Sequence, residues 1–134
     1  MSLAFATLLP FSALTVVLGA LPSAASATTR VLTCAHARVE RPPRYDLGCG
    51  SGTYVLTDLH WVAWTGSSAT ASGTYVVNTC VPTCAAGHDA SYHATISLGS
   101  VSATSHGRLF RRARIRYRLR GALTTTSWAL PPFS

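Results

Sequence analysis

The chain reads as an all-β protein, a small disulfide-stapled sandwich or barrel of about seven strands after an N-terminal signal helix. Three observations lead there. Beyond residue 28, apolar and polar residues alternate with a period of two, and Thr, Val and Tyr are enriched. No segment sustains the 3.6-residue apolar repeat of an amphipathic helix. Clusters of Gly, Pro and Ser separate the alternating stretches at the spacing expected of short strands joined by turns.

The first element is the leader. Residues 3–21 form an uncharged apolar run that closes on Ser23-Ala24-Ala25-Ser26-Ala27, a hydrophobic region followed by a small-residue cleavage site, which predicts a signal peptide over 1–27. The first Arg is Arg30, so the terminal amine is the only positive group ahead of the run. Because the run has the length of a marginal membrane span of about 18 to 20 residues, an uncleaved anchor is the alternative. Pro10 and the small-residue ending favour cleavage. The expected location is secreted or extracellular, with the cell envelope as the destination if the segment is retained. A lipid anchor on Cys34 is disfavoured by its approach, Arg30-Val31-Leu32-Thr33, which is charged and bulky.

A single β domain is then expected over 28–130, ending in a frayed or extended tail over 131–134, Pro131-Pro132-Phe133-Ser134. Strands are predicted at 30–36, 53–57, 59–64, 69–77, 92–98, 108–120 and 123–130. Turn clusters fall between them at 41–44 with Pro42-Pro43, 48–52, 66–68, 80–89 and 99–107. A chain of this size is near the limit where covalent staples help its core. Its four cysteines, in an oxidising compartment, are most simply two disulfides. Three pairings are formally open. Closeness in sequence and flanking Gly or Pro favour Cys34 with Cys49 and Cys80 with Cys84.

The formal net charge is +7, all eleven basic residues are Arg, and the acids are only Glu40, Asp46, Asp58 and Asp89. High-GC coding accounts for the missing Lys and hints at an actinobacterial source. The central segment carries Cys49, Gly50 and Gly52, then Trp61, Trp64 and Gly66, Ala71 and Gly73, and finally Asn78, Cys80, Pro82, Cys84, Ala85 and Gly87. With these residues the chain, over roughly 45–120, resembles a family of small secreted actinobacterial proteins of unknown function, found in mycobacteria and streptomycetes. Its marks are a C-G-D-G-N-like turn, a W-x-x-W-G-like strand and an N-x-C-x-P-x-C-A-x-G block. This chain departs from the pattern at Ser51, Thr53 and Thr65. Ser51 replaces an acid, which weakens any cation site in that turn. The resemblance implies export and organisation, and no activity.

Arg112, Arg114, Arg116, Arg118 and Arg120 alternate with Ala113, Ile115, Tyr117 and Leu119. On a strand the guanidinium groups would leave one face while the apolar residues enter the core. Arg108 and Arg111 would extend the patch. Planar forks in register suit phosphate and carboxylate, so anionic cell-envelope polymer, anionic lipid headgroups or nucleic acid are the partners this pattern fits. No nucleic-acid-binding module is recognisable, so sequence-specific nucleic-acid recognition is not expected. The competing reading is a solvated strand face whose charges oppose edge-to-edge aggregation.

Cys80, Cys84, His88 and His93 hold the atoms of a tetrahedral zinc site, but their spacing lacks the long loop between ligand pairs, and Pro82 breaks a continuous helix. In an oxidising compartment the sulfurs belong in a disulfide. The glycine-rich turn at 48–52 lacks the Lys-Ser/Thr step of a phosphate loop. No Gly-x-Ser-x-Gly elbow sets a nucleophile beside a base, and four dispersed acids make a poor glycosidase pair. Trp61 and Trp64, three apart on a strand, are expected on opposite faces. No catalytic, cofactor or metal residue is assigned. The expectation is a non-catalytic accessory or binding module with an Arg-rich face for anionic envelope components. A small secreted hydrolase and a purely structural or interaction module are the alternatives.

Overall fold

The computed structural model describes residues 10, 12–19, 28–49 and 52–133. Of the predicted signal segment over 1–27, residues 10 and 12–19 are described and form neither helix nor strand, so the expected signal helix is not seen there; the rest of that segment, with Gly50, Ser51 and Ser134, lies outside the described residues. Among the described residues no helix is long and apolar enough to cross a membrane.

The fold is all β. Strands β1 (Val31–Leu32) and β2 (Arg38–Val39) form a small antiparallel pair. The other six, β3 (Tyr45–Asp46), β4 (Tyr54–Trp64), β5 (Ala69–Asn78), β6 (Asp89–Thr104), β7 (Gly107–Leu119) and β8 (Ala122–Ala129), form one antiparallel sheet in chain order. Each strand pairs with its sequence neighbour, so short turns suffice and no crossover is needed.

The sheet is strongly curled. Tyr54 on β4 and Trp128 on β8 stand four strands apart, about 19 Å in a flat sheet, yet their ring centroids are 4.6 Å apart. The result is a half-barrel whose concave side holds the core. Leu56, Ala71, Tyr75, Ala94, Ile96, Ala113 and Ile115 line that side along β4 to β7. Val31 packs with them, and Leu32 beside it is fully buried. The segment preceding β1 runs parallel to the start of β7, with Arg30 N–H donating to the Arg108 carbonyl and Phe110 N–H to the Arg30 carbonyl. The Tyr45 hydroxyl donates to the Leu32 carbonyl at 2.7 Å. Disulfide Cys34–Cys49 ties the β1–β2 region to the end of β3, and Cys80–Cys84 closes the loop between β5 and β6. Both bridges match the pairing that closeness in sequence favours.

The strand pattern departs from expectation in five places. Residues 53–57 and 59–64 are one strand, because the break at Asp58 is a β-bulge, with positive φ at Asp58 and a register shift between Thr57 and His60. The expected turn over 99–107 is mostly strand: β6 runs on past Gly99 to Thr104, and the chain reverses only at Ser105 and His106. The strand predicted at 30–36 stops at Leu32, where Thr33 and Ala37 close a turn. Of the tail expected to be frayed or extended, the part at 131–132 is docked, while Phe133 is exposed. Leu130 N–H donates to the Arg111 carbonyl, the Arg111 Nη2 donates to the Pro132 carbonyl at 2.6 Å, and Pro131 is buried.

The tryptophans are the fifth correction. A second register shift lies between Trp61 and Ala63, which resets the alternation and brings both rings to one side. They meet edge to face at 4.8 Å, and Trp64 packs on Phe110 at 5.4 Å. Each indole N–H is satisfied by a carbonyl, Trp61 by Pro42 and Trp64 by Thr29, both at 2.8 Å. The two rings thereby clamp the proline loop and the N-terminal segment onto the sheet.

Candidate anion-binding face

The convex side of the sheet is open, and the arginine alternation of β7 governs it. Ala113 and Ile115 are fully buried and Tyr117 is half-buried against the core. The intervening Arg112, Arg114, Arg116 and Arg118 are exposed in consequence. Side chains two apart on a strand repeat every 6.6 to 6.8 Å or so, so four guanidinium groups form a row about 20 Å long.

Register sets the neighbours of this row. Arg116 lies between Thr95 of β6 and Thr125 of β8, with Ser72 one strand further out. Arg114 lies between Ser97 and Ser127, with Thr70 beyond. Opposed residues on adjacent strands hold their Cβ atoms about 4.5 to 5.5 Å apart. Each of these two arginines is therefore flanked by hydroxyls. Two grooves follow the seam of β6 and β7. One of about 230 Å³ is bounded by Ser97, Gly99, Arg112 and Arg114. The other, about 440 Å³, is bounded by His93, Thr95, Arg116 and Arg118.

The charges on this face are not neutralised from within. Among the described residues the ion pair is Arg41 with Glu40 at 2.8 Å, on the loop after β2, and Arg112, Arg114 and Arg116 donate no hydrogen bond to the protein. Asp46 is engaged with the Gly48 N–H at 3.0 Å. Arg118 donates to the Gly121 carbonyl at 3.2 Å.

Three of the seven arginines that the sequence groups together do other work. Arg108 donates to the Gly66 carbonyl at 3.2 Å, so it fastens the β4–β5 turn. Arg111 is half-buried and holds the C-terminal segment, with its Nε buried and without a hydrogen-bond partner. Alternation fails here because Leu109 and Phe110 are both fully buried and Ser100, opposite this stretch, has positive φ. Arg120 lies past the end of β7 in a two-residue turn with Gly121, both at positive φ. What the sequence reading missed is the hydroxyl rows, whose signal was the alternation of Thr and Ser in β5, β6 and β8.

The remaining chemistry-bearing residues do not converge. Cys80 and Cys84 are joined to each other, and His93 stands on the convex face while the His88 backbone N–H bonds the Thr79 hydroxyl. Among the described residues no cluster of three metal-ligating side chains occurs. Ser105 and His106 approach to 3.5 Å in the exposed β6–β7 turn, with no carboxylate hydrogen-bonded to the imidazole among the described residues. Two tyrosines are displaced from their ordinary titration range: burial pushes Tyr45 upward, with Asp46 adding to it, and burial pushes Tyr75 up to about 12. Both serve the core.

Fold and face together define an all-β, disulfide-bonded protein that presents a regular basic and hydroxylated sheet surface. No family model, curated protein or solved structure matches the chain.

Proposed function

We propose that this is an exported accessory protein that binds anionic components of the cell envelope through its convex sheet face and performs no chemistry of its own. Arg112, Arg114, Arg116 and Arg118 are the binding residues. One observation carries the reading: four exposed guanidinium groups stand in a single row with no carboxylate partner among the described residues. Such a row concentrates positive potential, and each fork can take two oxygens of a phosphate or carboxylate. The two closed disulfides fit an oxidising, extracellular location.

Retention on an anionic matrix tests it. The unmodified protein elutes late and in a salt-dependent way, and R114E/R116E elutes far earlier because two attractive contacts become repulsive. Unchanged retention of that variant would sink the reading.

A further inference from the structure

We infer that the ligand of the convex face is an extended polyol-phosphate polymer lying along the seam of β6 and β7, an assignment that rests on the anion-binding reading above. Three features select it. The first is spacing. Arg112, Arg114, Arg116 and Arg118 recur every 6.6 to 6.8 Å or so. An extended chain covers about 1.1 to 1.2 Å per backbone bond, since three bonds span about 3.3 to 3.6 Å in a polypeptide. A glycerol-phosphate repeat has about six bonds between phosphorus atoms, hence about 7 Å. One phosphate per guanidinium follows, without the crowding that a polymer with more closely spaced charges would impose.

The second feature is the shape of the surface. The two grooves at Gly99–Arg112 and His93–Arg118 lie end to end along one seam, so they form a linear trough rather than a pocket for a single small anion. The third is the chemistry beside the charges. Thr95, Ser97, Thr125 and Ser127 flank Arg114 and Arg116 on both sides. These hydroxyls donate and accept, which suits the hydroxyls and ester oxygens of a polyol between its phosphates. No aromatic residue stands in these flanking rows, whereas single-stranded nucleic acid of similar phosphate spacing is held by bases stacked on aromatic rings. Tyr75 and Trp128 pack with the core on the concave side, and Tyr92 and Tyr117, which border the larger groove, are half-buried with their rings engaged with each other and, through Tyr117, with Tyr75. The hydroxyl grid therefore favours the polyol chain over a nucleic acid.

Calorimetric titration of the full protein with synthetic poly(glycerol phosphate), polyglutamate and single-stranded oligothymidylate, matched in charge number, tests the assignment. The expected order places poly(glycerol phosphate) at least tenfold tighter than either competitor, with affinity rising steeply up to about four repeats and slowly beyond, since the row spans about three intervals. T95V/T125V keeps strand-compatible side chains but loses two hydroxyls. It should weaken poly(glycerol phosphate) about three- to tenfold and leave polyglutamate unchanged. Equal affinity for all three polymers overturns the assignment while leaving the anion-binding reading intact. Tighter binding of the oligothymidylate also overturns it, in favour of nucleic acid. Failure of all three to bind removes the anion-binding reading and this assignment with it.

Discussion

Gly73 and Gly87 show how single positions carry this fold. A Cβ on Gly73 would stand 2.8 Å from Leu59 Cδ2 and 2.9 Å from the Thr57 carbonyl oxygen, inside the bulged stretch of β4. The carbonyl belongs to a paired strand and cannot step aside, so Gly73→Ala should cost about 1 to 3 kcal/mol as an overpacked core does, read from the urea midpoint. A Cβ on Gly87 would fall against the Asn78 side-chain oxygen and stand 2.8 Å from Cys80 N. That same oxygen accepts the Cys80 N–H at 2.8 Å. The spacing of Asn78, Cys80, Cys84 and Gly87 thus has a local physical basis: a hydrogen-bonded turn, a bridge and room for the returning chain. Tyr75 supplies a pH dependence. An unfolded phenol titrates near 10.0, whereas Tyr75 is pushed to about 12, chiefly by burial, with the Trp128 side chain acting in the opposite direction. Between those values the folded chain keeps a proton that the unfolded chain has released. Its contribution is fully present below about pH 10 and is lost as pH rises toward about 12. Urea midpoints should fall across that range, and less steeply in Tyr75→Phe. The same slope in both proteins would contradict the assignment to Tyr75.

Bulges and bridges explain where elements could be read and where they could not. Six of the seven predicted strands reappear as the five strands β4 to β8, merged or shifted by a few residues, because period-two alternation is a local property of the chain. β7 is the clearest case, since its apolar residues and arginines are sorted by pleat alone. The bulges in β4 have no such local mark. Asp58 looks like a turn residue, and the second register shift, between Trp61 and Ala63, falls in a run of strand-forming side chains, so the joining of two strands and the shared side of Trp61 and Trp64 depend on contacts with Pro42, Thr29 and Phe110. β2 and β3 have two residues each and carry too little pattern to be seen. The two disulfides differ in what they close. Cys34–Cys49 spans 15 residues and Cys80–Cys84 only 4. By chain entropy the first contributes about 3 kcal/mol and the second about 2 kcal/mol. Replacing each pair with serine and comparing denaturation curves should therefore show the larger loss for C34S/C49S. A larger loss for C80S/C84S would mean that the β5–β6 loop carries global stability.

The curl of the sheet joins these parts into one functional surface. It packs the half-buried Tyr54 and Trp128 against each other on the concave side and leaves the arginine row on the outside of the bend. The row itself was legible in the sequence. Its membership was not, since Arg108 and Arg111 are drawn to carbonyls brought close only by the tertiary fold, and the flanking hydroxyls become visible only once register is known. Basic residues also occur elsewhere, among them Arg38 and Arg44, so attraction by the overall charge of +7 has to be separated from binding by the face. R114Q/R116Q and R38Q/R44Q lower the net charge equally, and only the first pair touches the row. The salt dependence of polyanion affinity distinguishes them. With a single-strand slope near −0.7 per neutralised contact, the four-arginine face gives a slope of log K against log salt near −2.8, and R114Q/R116Q halves it to about −1.4. R38Q/R44Q is expected to keep both the affinity and the slope of the unmodified protein. Equal losses in the two variants would show that net charge, and not the β7 row, holds the ligand.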